Sequence, residues 1–146
     1  MNETLLVDDH VLLRILLQDE PPELRPRGAA ITTTGLWYHR LCRALSDHAV
    51  IGSMSRRLGG VDPAIAAEAI AAVIDLPDTI GLVSLRSLGW PIARLVHNGA
   101  RLNLLSLEAL AAATYLRAEI CLAELDDNEP LRSAARSFGV PVRSIP

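Results

Sequence analysis

Five short apolar runs punctuate the chain, and each interval between them carries helical spacing. LLV at 5–7 ends in Asp8 and Asp9, and HVLLRILLQDE then places Val11, Leu12, Ile15 and Leu16 on one helical face. After the Pro-rich, charged break EPPELRPRG, AAITTT at 29–34 has strand character from Ile31 and three threonines. GLWYHRLCRALSD, 35–47, reads as a helix, and a further helix runs through AVIGSMSRRL to Gly59-Gly60. Asp62-Pro63 pairs an N-cap with proline at the first helical position, opening a helix that ends at Pro77. IGLVSL, 80–85, is the third strand, and LRSLGWPIARLVHNGA is helical with an interruption expected near Gly89 and Pro91. LNLLSLEALAAATYLRA is a helix starting near Ser106, EICLAEL (119–125) a strand, EPLRSAARSFG (129–139) a helix and VPVRSI a closing strand. The order β-α-β-α-α-α-β-α-α-β-α-β, with short loops, predicts one three-layer α/β/α domain over residues 1–146. Its five-stranded sheet is expected to be mostly parallel, with the first strand central.

Composition narrows the function classes. Half of the residues are hydrophobic, which excludes intrinsic disorder, and only 9 Gly and 9 Pro exclude a collagen-like chain. No apolar run approaches the roughly 18–20 residues of a membrane span. MNETLLVDDH lacks the features of a signal peptide, so a cytoplasmic location is expected. A net charge of −3 argues against holding nucleic acid by bulk attraction, while leaving room for a local basic groove. All 14 basic residues are arginine, whose forked guanidinium suits phosphate and carboxylate. Cys42 and Cys121 lack metal or redox spacing and are expected to be buried free thiols. His10, His39, His48 and His97 lack zinc-site spacing, and Gly59-Gly60 lacks the GK[ST] of a P-loop.

The carboxylates fall in places that matter for chemistry. Parallel α/β sheets bind ligands at the carboxyl ends of their strands, near the topological switch. Asp8 and Asp9 follow the first strand, Asp126 and Asp127 follow the fourth, and Glu108 sits near the start of the preceding helix. Such acids could hold Mg²⁺, which takes a few carboxylates and several waters. Each acid also has a structural reading: Asp9 as a helix cap, Glu108 at a helix N-terminus, Asp126 and Asp127 as turn residues. Trp37 and Tyr38 beside His39, Arg40 and Arg43 could stack on RNA bases and rest against phosphate, or simply pack on a neighbouring helix. Arg25 and Arg27 read as loop residues.

LLVDDHVLLRIL resembles the opening strand of the PIN domain, the nuclease fold of VapC-type toxins in toxin–antitoxin pairs; Asp8 takes the position of the family's aspartate. LSLEALAAATYLRAEICLAELDD resembles the stretch in which one acid starts a helix and another follows the next strand. Glu108 takes the first place and Asp126 or Asp127 the second. LRSAARSFGVPVRSI resembles the closing helix and strand. The resemblance implies a Mg²⁺- or Mn²⁺-dependent ribonuclease in which Asp8, Glu108 and Asp126 or Asp127 hold one metal, with Asp9 nearby. That metal would activate water for attack on an RNA phosphodiester.

The chain departs from this pattern on the helix after the second strand. The family has a glutamate there, whereas TTTGLWYHRLCRAL has Arg40, and no acid occurs from Ala29 to Ser46. Metal binding is therefore expected to be weak or absent. Arg40 is expected to turn toward Asp8 or Glu108 and compete with Mg²⁺. The alternative reading is a catalytically inactive PIN-like module for protein or RNA binding. The apolar helices at 47–58 and 63–76 suggest a homodimer, and the resemblance adds an antitoxin as a possible partner.

Overall fold

The computed structural model describes residues 3–25, 28–46, 53–126 and 128–146. Strand β1 (Thr4–Val7) leads through α1 (Asp9–Leu16) to β2 (Ala30–Thr34), then α2 (Gly35–Ser46), α3 (Ser53–Gly59) and α4 (Pro63–Ile74). β3 (Ile80–Val83), α5 (Leu85–His97), α6 (Leu104–Leu116), β4 (Glu119–Ala123), α7 (Glu129–Ser137) and β5 (Val142–Ile145) complete the order read from the sequence. The strands lie β3-β2-β1-β4-β5, and all four pairings are parallel. The chain builds outward from β1 to β3, then crosses back to β4 and β5. The topological switch therefore lies between β1 and β4, as its order requires.

Alternation along β1 divides the core in two. Leu5 and Val7 pack with Val11, Leu41 and Val73 from α1, α2 and α4, while Leu6 packs with Leu88, Leu110 and Leu131 from α5, α6 and α7. The sheet is thus covered on both faces. α6 is buried over Ser106–Ala113, and its alanines let it lie close against its neighbours. A helix apolar on every side belongs in such a place. Among the described residues no helix is long and apolar enough to cross a membrane.

Two boundaries differ from the sequence reading. α5 runs unbroken through Gly89 and Pro91, because Leu88 and Leu95 are both buried and pin the two halves to the core. Pro91 lacks the N–H that would serve the carbonyl of Ser87, and Ser87 is exposed. α6 begins at Leu104 rather than near Ser106: Asn103 is its cap, accepting the Ser106 N–H at 2.9 Å.

Gly81 on β3 stands opposite Thr32 on β2, and an added Cβ would lie 2.6 Å from Thr32 Oγ1 and 3.3 Å from its Cβ. Threonine is stiff about χ1 and cannot readily swing aside. Gly81→Ala should cost about 1–3 kcal/mol in urea denaturation. Adding Thr32→Ala should recover most of that loss; strictly additive losses would show that the two positions do not collide.

Candidate functional site

The carboxyl end of β1 is where the acids gather. Asp8 caps α1, accepting the Val11 N–H on Oδ1 and the Ala123 N–H on Oδ2, each at 2.9 Å. One buried carboxylate thereby ties the first turn of α1 to the end of β4. Burial pushes its carboxyl up to about 7, the two N–H groups pull it back, and the charges of Asp9 and Asp126 raise it further. Both of its oxygens are engaged.

Asp9, the first residue of α1, is also buried. Arg40 reaches it from α2 with a two-pronged contact, Nε to Oδ2 at 2.5 Å and Nη2 to Oδ1 at 2.7 Å. The same Nη2 donates to Asp126 Oδ2, in the turn after β4. The hydrogen bond to Asp9 chiefly drives the Arg40 guanidinium still higher in pKa, against the opposing effect of burial. Arg40 does turn into the acidic cluster, but its partners are Asp9 and Asp126 rather than Asp8 or Glu108. α1 and α2 pack on the same face of the sheet, which brings position 40 over the start of α1.

Ligand atoms of Asp9, His10 and Asp126 lie within 4.8 Å of one another, a group with the donors to hold a metal ion. Neither Asp8 nor Glu108 belongs to it. Sequence spacing pointed away from His10 because it has no second histidine partner; its position directly after two acids was the available signal. A divalent cation at this group needs carboxylate oxygens that are free. Arg40, forked onto Asp9 and bonded to Asp126, occupies those oxygens, so an ion at this group would have to displace it.

Glu108 is buried on α6 and works elsewhere. Its Oε1 accepts the Leu36 N–H at 2.8 Å, so it caps α2 from across the domain. Its Oε2 is buried without a hydrogen-bond partner among the described residues, facing Gly35, where an added Cβ would stand 3.7 Å away. Asp8, Glu108 and Asp126 all come to the carboxyl edge of the sheet, at the ends of β1, β2 and β4, yet each has a different partner. Asp127 lies outside the described residues.

The remaining candidates resolve structurally. Trp37 is 1% exposed and cannot stack on a ligand. Tyr38 donates its hydroxyl to the Val73 carbonyl on α4, so the aromatic pair packs inward while Arg43 stays exposed. Arg25 forks onto Glu20 at 2.5 and 2.8 Å, and Arg27 lies outside the described residues. Both cysteines are free thiols; Cys121 is buried, which pushes it up to about 12, and Cys42 is half-buried.

No protein-family model matches this chain, and no curated protein matches it either.

Asp8 sets a pH dependence with a definite sign. Its folded pKa, about 7, lies above the unfolded value of 3.8, so the folded state holds the proton more tightly. Its stabilising contribution is complete below about pH 4 and is lost as pH rises toward and through 7, on the order of a few kcal/mol. Asp8→Asn, compared with the parent by urea denaturation from pH 4 to 8, should flatten this slope. An unchanged slope would mean that Asp8 is ionised throughout.

Proposed function

We propose that this chain is a PIN-like domain whose acidic site is closed by its own arginine, and that it acts as a binding module rather than as a metal-dependent nuclease. The observation that carries this reading is the contact of Arg40 with both Asp9 and Asp126. A guanidinium stands where the resemblance calls for a metal-binding carboxylate. It supplies one fixed positive charge, hydrogen-bonds the oxygens an ion would need, and cannot be titrated away. Asp8 and Glu108, the other acids of the family pattern, are committed to backbone N–H groups. Exposed Ile70 and Ile74 on α4 suit a protein that works by contact.

The competing reading, a Mg²⁺- or Mn²⁺-dependent ribonuclease, draws support from the proximity of Asp9, His10 and Asp126. It requires Arg40 to leave the cluster first. The two readings separate by titrating Mg²⁺ and Mn²⁺ calorimetrically into the parent protein and into Arg40→Glu. The parent should show no binding in the low-millimolar range. Arg40→Glu should bind Mn²⁺ at least about tenfold more tightly. Without metal it should also be less stable, because the buried Asp9 loses its counter-ion; one-sided removal of a buried pair costs about 3–5 kcal/mol, and less here because Arg40 is 37% exposed. Sub-millimolar Mg²⁺ binding by the parent, with RNA cleavage that Asp9→Asn abolishes, would overturn the proposal.

A further inference from the structure

The chain has only five aromatic residues, and three of them line one hollow on the far side of the sheet from α1, α2 and α4. Trp90 on α5, Tyr115 in the last turn of α6 and Phe138 after α7 surround a space of about 300 Å³, with Pro91 and Leu95 lining it as well. Trp90 is 75% exposed and Tyr115 56%. Arg94 lies one helical turn from Trp90, and Asn98 one turn further, so α5 presents ring, guanidinium and amide in a row. Arg94 is exposed and forms no ion pair among the described residues. No carboxylate lines the hollow.

A second hollow of about 500 Å³ adjoins it, sharing Asn98 and Phe138, and adds Arg101, Ser133 and Ser137. It too has no carboxylate in its lining. The wider surface follows the same rule: between Ser84 and Ala118 the only acid is Glu108, which is buried, whereas Arg86, Arg94, Arg101 and Arg117 are all exposed. In a protein of net charge −3, the α5–α6 part of this face thus has no exposed acid among the described residues, and the nearest exposed acid on the face is Glu129 at the start of α7. Single exposed apolar residues need no explanation, but rings, exposed guanidinium groups and hydrogen-bonding side chains gathered in one groove do.

We infer that this groove binds a nucleoside phosphate, the base against Trp90 and Tyr115 and the phosphate on Arg94 or Arg101. A flat ring with an anionic group is the ligand chemistry that matches aromatic faces flanked by arginine. Asn98 can both donate to and accept from a base edge. The volume suits a small ligand of this class. The ligand is either a free mononucleotide or one nucleotide of a single strand. The site shares no residue with the acidic cluster, so it stands or falls separately from the reading of Arg40.

Trp90 reports on its own site, because the other tryptophan, Trp37, is buried. Tryptophan fluorescence should fall saturably when AMP, UMP or a single-stranded octaribonucleotide is titrated at low salt, and Trp90→Phe should abolish the change. Tyr115→Ala and Arg94→Ala should each weaken binding about tenfold, in the range of base–aromatic stacking, without lowering the melting temperature. Saturation by AMP as tightly as by the octamer, per nucleotide, identifies a free nucleotide as the ligand; binding at least tenfold tighter for the octamer identifies a strand. The inference fails if none of the three probes saturates by 5 mM nucleotide. It also fails if binding survives both Tyr115→Ala and Arg94→Ala, or if sedimentation shows a dimer that shields Trp90 from acrylamide.

Discussion

A single buried carboxylate holds the carboxyl edge of this sheet together. Asp8 ends the central strand, caps the helix that follows and accepts a hydrogen bond from the far side of the topological switch. Parallel strands diverge at a switch because the connections on either side run in opposite directions, leaving backbone N–H groups without a strand partner. Asp8 satisfies the Ala123 N–H at the end of β4 and, as the cap of α1, the Val11 N–H of that helix's first turn. The turn it stabilises carries Asp9 and His10, and the strand end it grips leads into Asp126. Every residue of the acidic cluster except Arg40 is therefore placed by what Asp8 holds.

The acids at that edge are balanced without calling on an ion. Asp9 and Asp126 share the guanidinium of Arg40, and Glu108 accepts a backbone N–H at the start of α2, whose first turn has no acid of its own. Asp8 is the exception, since Arg40 does not bond to it, and burial keeps its proton on until about pH 7. The imbalance that would draw a divalent cation in has thus been met by an arginine, two sets of backbone donors and one retained proton. Arg40 carries most of this. A fork on Asp9 is stronger than a single charged contact, and it is directional in a way that an ion is not.

Local sequence made the element order legible from end to end because periodicity, proline starts and glycine stops agreed. Asp62-Pro63 and the 129–139 helix show this: α4 and α7 both begin with proline in the first turn behind a capping side chain. Where local signals and burial disagreed, burial won. Pro91 argued for a break, but Leu88 and Leu95 hold α5 straight through it. The site was legible as a set of positions and not as a set of contacts. That acids gather at the carboxyl edge follows from the fold, while the partner of each depends on distances between elements that spacing does not encode. Glu108 capping a helix 72 residues away is such a contact. The groove at Trp90 was illegible for the same reason: Trp90, Tyr115 and Phe138 are scattered in the chain and meet only when α5, α6 and α7 pack on one face.

α6 connects these two regions, and its burial explains how both can be built precisely. Glu108 lies near its start and Tyr115 near its end, about 10 Å apart along the axis. A helix enclosed from Ser106 to Ala113 cannot shift to satisfy one end without disturbing the packing of the other. Among the described residues Oε2 of Glu108 has no hydrogen-bond partner, and leaving an acceptor buried costs about 1–3 kcal/mol. The cap on α2 offsets part of that cost. The same buried stretch anchors the helix that carries Tyr115, which lines the groove together with Trp90. A proposed site carried on helices anchored by the core spends less of its binding free energy on ordering those helices than one carried on loops would.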